Sequence, residues 1–317
     1  MQRAIGGYFG LELRDGVHYH EDALRLNTAR NCFEYILRAR KYRKVYIPYY
    51  TCEVMLEPLK KCGVLYEFYH IDLNWEPIKV YRLKPDEAFL YTNYYGLRQA
   101  CVQRLAELYG SQLIVDNAQA FYAPRVSGCD TFYSARKFFG VPDGSYLYIH
   151  DVQNVILEQD ISFDRMSHLL KRIDFSAEEG YADFQENDEK LIDNPIRSMS
   201  SMTEYILSAV DYDVVKQKRL ANFRYLHTAL GQDNPLKYSA LMDGDVPMVY
   251  PFYTRNSELR KKLIKNRVFV ATYWTNVKNW CQIDDWEYQL AENIIPLPID
   301  QRYGFDEMNI ILETINN

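Results

Sequence analysis

Two residues whose types could do chemistry stand 21 positions apart in mid-chain, Asp116 and Lys137. Asp116 follows the apolar run Leu113-Ile114-Val115, and Lys137 follows a second run, residues 131–136, which lies between Gly128 and Gly140. A carboxylate at one strand end and an amine just past the next is a layout for holding pyridoxal phosphate. The carboxylate keeps the pyridine nitrogen protonated, so the ring draws electrons from the substrate carbon. The amine forms a Schiff base with the cofactor, helped by desolvation or by a nearby cation such as Arg136. Taken singly, such an aspartate is also a turn residue or helix cap, and such a lysine a solvated surface charge. The pairing on adjacent strands is what favours the cofactor.

The elements that must position this pair can be read from the flanking pattern. Residues 88–93 (AFLYTN) read as a strand. Between them and Leu113, the residues Val102, Leu105, Ala106 and Tyr109 recur with helical spacing, closed by Gly110. Strand, helix, strand with these lengths is a βαβ unit, which predicts a parallel sheet. Ligands of open parallel sheets bind beyond the carboxyl ends of the strands, where Asn93, Asp116 and Lys137 fall. Nearer the start, Asn27 and Thr28 precede Ala29, Cys32, Phe33, Ile36 and Leu37, the pattern of an amphipathic helix with a capping residue. Such a helix start binds phosphate through its free N–H groups and its dipole, and Thr28 could add a hydroxyl; a plain N-cap has the same signature.

With these residues in hand, the chain resembles the DegT/DnrJ/EryC1/StrS sugar aminotransferases, fold-type I pyridoxal phosphate enzymes of the aspartate aminotransferase superfamily. The resemblance is anchored from Asn27 to Ile299. Residues 27–30 stand where the family has its phosphate loop, and residues 45–52 (VYIPYYTC) resemble its strand ending Pro-x-x-Thr. Residues 59–72 resemble its next helix, glycine turn and strand, and Tyr94-Tyr95-Gly96 its Tyr-Gly turn. Residues 115–120 (VDNAQA) resemble its Asp…Gln segment, and Ser134-Ala135-Arg136-Lys137 the superfamily's Ser-x-x-Lys.

The resemblance implies that Lys137 carries the cofactor and shuttles the proton, Asp116 pairs with the pyridinium and Gln119 contacts the ring hydroxyl. It implies that Thr28, Ala29 and Ser134 hold the phosphate, with Asn93 and Cys52 also lining the cofactor site. Several positions depart from the pattern. Thr28 replaces a glycine, Phe132 replaces a serine five residues before the lysine, and Gly144-Ser145 replaces Gly-Gly. Cys52 stands where an aromatic often stacks on the ring, leaving Tyr50 and Tyr95 as alternatives. Residues 194–197 (NPIR) are the best match to an Asn-Tyr-Arg segment that reaches the neighbouring subunit's site.

The implied reaction converts a nucleotide-linked keto sugar to an amino sugar, with glutamate as amino donor, in polysaccharide or glycoconjugate synthesis by a homodimer. Two rival readings are a pyridoxal phosphate enzyme of another reaction type, such as dehydration, and a catalytically retired sensor or scaffold. Lys137 weighs against dehydratases of this kind, which replace that lysine.

The rest of the chain sets bounds. Its 317 residues can bury a large core, so one large plus one small domain is a natural division of the α/β fold that the βαβ pattern and the resemblance imply. A large domain, residues 1–200, holds a mostly parallel sheet flanked by helices, and a small C-terminal α+β domain spans residues 201–317. In the latter, residues 214–230 read as a long helix, residues 246–250, 268–274 and 294–299 as strands, and Met308, Ile311, Leu312 and Ile315 as the face of a last helix. The acidic stretch 174–194 is irregular in pattern and reads as a mobile loop or partner contact. The net charge is −6 with no basic run, which argues against nucleic acid or anionic membranes as partners while leaving a local phosphate site open.

No apolar run approaches membrane-spanning length and the start lacks a signal-type core, so a cytoplasmic location is expected. Six cysteines without CxxC spacing read as reduced thiols. His18 and His20 lack a carboxylate-rich helix partner, so no metal site is expected. Gly6-Gly7-Tyr8-Phe9-Gly10 is not a dinucleotide fingerprint, and neither a P-loop nor a GxSxG elbow is present. Pro58 predicts a kink in a helix over 52–62. The 28 tyrosines fit compositional bias better than a sugar-lined cleft.

Overall fold

A computed structural model describes residues 5–151, 156–236, 241 and 244–317. Its first half alternates strands and helices: β1 (Leu24–Leu26), α1 (Ala29–Arg40), β2 (Lys44–Pro48), α2 (Leu56–Cys62), β3 (Leu65–Tyr69), β4 (Glu87–Thr92), α3 (Gln99–Tyr109), β5 (Leu113–Asn117), β6 (Asp130–Ser134) and β7 (Ser145–Tyr148). These strands form one seven-stranded sheet in the order β1-β7-β6-β5-β4-β2-β3. The run from β3 to β6 is parallel, and β7 is antiparallel to both β6 and β1. The mostly parallel α/β sheet expected from the sequence is therefore present. Every residue of β4, β5 and β6 is buried, as a sheet covered on both faces requires.

Alternation along the strands separates the two faces. Leu90, Ile114, Phe132 and Leu147 share a cluster with Phe33, Ile36 and Leu37 of α1 and with Leu59 of α2. Phe89, Leu113, Val115, Tyr133 and Tyr146 point the other way, into a larger cluster. α1 forms because its apolar residues recur on one side, Thr28 caps its start by accepting from the Asn31 N–H (3.1 Å), and Arg38 and Arg40 sit at the negative end of its dipole. Arg40 donates two 2.7 Å bonds to the buried Asp130 carboxylate, fixing α1 on the first residue of β6.

The second half contains α4 (Ser167–Asp174), α5 (Tyr181–Lys190), α6 (Ser201–Ser208), α7 (Tyr212–Leu230), β8 (Tyr250–Tyr253), α8 (Ser257–Lys265), α9 (Val277–Trp280), α10 (Trp286–Asn293), β9 (Ile294–Leu297) and α11 (Phe305–Asn316). β8 and β9 form an antiparallel pair. The boundary read at 200/201 coincides with the start of α6. The larger core cluster nonetheless runs unbroken from Val115 and Tyr133 of the sheet to Leu226, Tyr250 and Leu297.

Several expectations are corrected. Residues 268–274 form no strand among the described residues; Trp274 is left-handed there (φ 56°). The 246–250 strand begins only at Tyr250. The irregular stretch 174–194 contains the ten-residue helix α5, whose one fully buried side chain, Asn187, gave no apolar periodicity to read. Pro58 does not kink a long helix: a 3-10 turn, Glu53–Met55, precedes α2 and leaves Pro58 in the first turn, where a missing N–H costs nothing. Tyr50, Tyr69, Tyr91, Tyr94, Tyr95, Tyr122, Tyr133, Tyr146 and Tyr250 are fully buried, so much of the tyrosine excess is core. Among the described residues, no helix is long and apolar enough to cross a membrane.

Candidate functional site

The ends of β4, β5 and β6 lie side by side, with Thr92 in register with Asp116 and Asp116 with Phe132. Period-two alternation puts Thr92, Asp116 and Ser134 on the α1 face of the sheet, one step beyond the Leu90, Ile114 and Phe132 layer. The start of α1 is brought to the same place by Gly144. Its N–H donates to Asn27 O (2.7 Å) and its carbonyl accepts from Ala135 N (3.1 Å), so one residue bridges the helix start and the end of β6. Gly144 is left-handed (φ 109°), and a Cβ there would meet Thr203 Cγ2 at 2.8 Å, so only glycine fits the bridge.

Asp116 is buried and held by two donors: Ala118 N–H to Oδ1 (2.8 Å) and the Thr92 hydroxyl to Oδ2 (3.4 Å). Burial raises its pKa from 3.8 to about 6, against the opposing pull of the Ala118 N–H, the Lys137 charge and the Thr92 hydroxyl. Lys137 is therefore within electrostatic reach of Asp116 across the adjoining strand ends. The lysine lies three residues beyond β6 and is exposed, and its Nζ sits 5.7 Å from the Tyr273 ring centroid.

Gln119 is fully buried, and its Oε1 accepts from Tyr95 N–H (3.1 Å). That bond fixes the amide orientation and leaves Nε2 as a buried donor without a protein partner. A buried, oriented donor of this kind fits an acceptor oxygen on a bound group, as expected for the ring hydroxyl of the cofactor. Tyr95 is left-handed (φ 56°). Gly96 continues the turn at φ 73°, where a Cβ would meet Val246 O at 3.0 Å.

Thr28 Oγ1 is the α1 cap acceptor, which leaves its hydroxyl hydrogen for an anion. The Ala29 N–H begins the helix and has no intrahelical partner. Ser134 is 8% exposed, and its side chain makes no hydrogen bond among the described residues. Phe132 lies deeper on the same face and stacks on Phe33 (centroids 6.2 Å), so Ser134 is the hydroxyl at the strand end. The Gly144 bridge thus ties the segment that begins at Thr28 and Ala29 to the end of the strand that carries Ser134.

Two further candidate residues, Asn93 and Cys52, lie at the starts of helical segments. The Asn93 side chain accepts from Arg98 N (3.0 Å) and donates to Gln99 Oε1 (3.1 Å), holding the start of α3. Cys52 is half-buried and opens the 3-10 turn after β2. Tyr50 and Tyr95 are fully buried and joined by a 3.0 Å hydroxyl contact. Residues 194–197 dock on the helix start: Asn27 N donates to Arg197 O (3.0 Å), while Asn27 Nδ2 and Asn31 Nδ2 donate to Pro195 O (3.0 and 2.8 Å).

His18 and His20 are buried. The first shares a 2.6 Å contact with the Tyr146 hydroxyl and the second a 2.8 Å contact with Phe121 O, and burial lowers both to about 4. They brace an aromatic core, and no group of three metal-ligating side chains occurs among the described residues. Sequence reasoning missed Tyr273, beneath Lys137, and Arg219 and Gln301, which contact the peptide after it. No local spacing links them to Lys137.

No protein-family model matches the chain, and no curated protein matches it. Solved structures do. DesV from S. venezuelae, solved in complex with a ketimine intermediate, is 14% identical with a TM-score of 0.62, over 92% of this chain and 83% of that one. Spr1654 from Streptococcus pneumoniae, in its PLP form, is 17% identical with a TM-score of 0.63, over 92% and 85%. The GDP-4-keto-6-deoxymannose-3-dehydratase ColD is 14% identical with a TM-score of 0.63, over 93% and 88%. The chain has the fold of these proteins along nearly its whole length.

Proposed function

We propose that the protein is a pyridoxal phosphate enzyme acting on sugars. More narrowly, we infer an aminotransferase that converts a nucleotide-linked keto sugar to an amino sugar with glutamate as donor. The observation that supports the reading is the buried Asp116 carboxylate, which feels the Lys137 charge and lies on the sheet face that also carries Ser134 and faces α1. Bound there, the cofactor would supply an electron sink for the substrate carbon.

The chain's own residues divide the work. Asp116 holds the proton on the ring nitrogen, and Gln119 Nε2 donates to the ring oxygen. The Thr28 hydroxyl, Ala29 N–H and Ser134 hydroxyl take the phosphate. Lys137 would hold the cofactor, and its Nζ would carry a proton. We further propose that the enzyme works in the cytoplasm as a homodimer. Exposed apolar side chains on and beside α4 and α5, among them Phe163, Ile173, Phe175 and Tyr181, support a covered surface there.

Purified protein supplied with pyridoxal phosphate is expected to show a visible absorbance band. Borohydride should abolish it and add the pyridoxyl mass to Lys137; mass at another lysine, or no band, overturns the reading. The likeness to ColD favours dehydration as the second reading. Glutamate separates the two: conversion of the bound cofactor to its amine form by glutamate, and back by a keto sugar, supports transamination. A band indifferent to amino donors would favour dehydration.

A further inference from the structure

Lys137 makes no side-chain hydrogen bond among the described residues and stands outside the strand, so its position depends on the backbone around it. On the strand side, the Phe138 and Phe139 N–H groups both donate to Ala135 O, at 3.0 and 2.9 Å. On the far side the peptide is held from the C-terminal part of the chain. Phe138 O, the first carbonyl after the lysine residue, accepts from Gln301 Nε2 (2.8 Å) and Arg219 Nη2 (3.3 Å). Gln301 Oε1 accepts from Arg219 Nε (3.0 Å), so the amide is fixed at both ends. Arg219 Nη1 donates to Met248 O (3.0 Å), and the guanidinium lies 4.6 Å from the centroid of the Phe138 ring.

Arg219 is 1% exposed, and every hydrogen bond described for it ends on a carbonyl or amide oxygen. The nearby carboxylate of Asp300 is taken by Arg302, at 2.7 and 2.8 Å. Burial lowers the guanidinium pKa from 12.5 to about 10. A buried cation without a paired carboxylate costs stability that an apolar side chain of similar size would not. A purely structural account leaves that cost unexplained, and the bonds to Phe138 O supply a reason.

We propose that Arg219 and Gln301 are positioning residues: from the C-terminal domain they clamp the peptide that follows Lys137 and so aim its amine at the cofactor. The inference rests on the reading of Lys137 as the cofactor-bearing lysine. It goes beyond that reading by tying the lysine's aim to α7 and to the loop between β9 and α11.

The discriminating variant is Gln301→Glu. It keeps an acceptor for Arg219 Nε and adds an ion pair, so the apoprotein should melt no lower than wild type. It also replaces the 2.8 Å donor to Phe138 O with an acceptor. Hydrogen exchange of amides 138–141 in the apoprotein should therefore rise about three- to tenfold, the equivalent of losing one hydrogen bond of roughly 0.7–1.4 kcal/mol. Borohydride-trappable attachment of pyridoxal phosphate to Lys137 should slow by a similar factor. Gln301→Leu should show both effects together with a lowered melting temperature.

Attachment unchanged in Gln301→Glu, whether or not exchange rises, would overturn the clamp's part in aiming Lys137, since a merely structural role predicts that outcome. Wild-type protein that never attaches pyridoxal phosphate at Lys137 would overturn the cofactor reading and with it the proposed aim, whatever the exchange result.

Discussion

Asp116→Asn should stabilise the apoprotein at neutral pH while disabling the enzyme. Burial raises the Asp116 pKa from 3.8 to about 6. A carboxyl whose folded pKa is raised favours the fold when protonated; that advantage is fully present below about pH 4 and is lost as the pH rises through 6. At 1.36 kcal/mol per pH unit, ionised Asp116 costs the folded apoprotein about 3 kcal/mol at pH 8. Asparagine keeps the acceptor for Ala118 N–H and carries no charge, so it escapes the cost.

The assay is thermal or denaturant unfolding of cofactor-free wild type and variant from pH 4 to pH 8. The two curves should meet near pH 4 and separate through pH 6, with the variant higher by up to about 3 kcal/mol. Saturating pyridoxal phosphate should reverse the order, because the ring's positive charge compensates the carboxylate and binding stabilises the folded form. A variant less stable than wild type at pH 8, or a gap that persists at pH 4, would refute the account of this carboxylate as a desolvated, unpaired group.

Other expectations follow from the same geometry. Lys137→Ala should abolish borohydride-fixable cofactor and turnover, checked by mass spectrometry and a glutamate half-reaction. Ser134→Ala should weaken pyridoxal phosphate affinity about ten- to a hundredfold, from the roughly 1.5–3 kcal/mol of a hydrogen bond to a charged group. Thr28→Val should act in the same direction and also lower the melting temperature, because it removes the α1 cap. Phe132→Ser should not improve affinity, since position 132 faces Phe33 under α1; it should cost roughly 3–5 kcal/mol in unfolding experiments.

Most of the sheet was legible, and the candidate site could be drawn on it, because the signals are local. The ends of β4, β5 and β6 fall within two residues of those read at Asn93, Asp116 and Arg136, and the capped start at Thr28 and the Gly110 stop were read in place. The resemblance supplied a role for Gln119 that spacing alone did not. Helix α5 was missed because its exposed faces carry charge on all sides, so no apolar stripe marks it. The false strand at 268–274 has β-branched and aromatic residues, but the left-handed turn at Trp274 and packing against Tyr50 overrode that preference. Arg219 and Gln301 escaped notice for another reason: they reach Phe138 O across 81 and 163 residues, a separation that carries no periodic signal.

Four features of the candidate site bear on one ligand. Asp116 is buried with a raised pKa, and Gln119 Nε2 is buried without a partner. The Ser134 hydroxyl makes no bond among the described residues, and Tyr95 is a non-glycine residue in the left-handed region. Burial of the Asp116 charge and of the Gln119 donor disfavours the apoprotein. A single ligand with a cationic ring nitrogen, an acceptor oxygen beside it and a terminal phosphate would offset the first three together. The fourth serves them indirectly, because the turn at Tyr95 aims the N–H that orients Gln119. That convergence links the Asp116→Asn experiment to the Ser134→Ala one. If both groups answer to the same ligand, each variant should lower the stabilisation that pyridoxal phosphate confers on the folded protein. Their effects on apoprotein stability should differ in kind, strongly pH-dependent for Asp116 and independent of pH for Ser134.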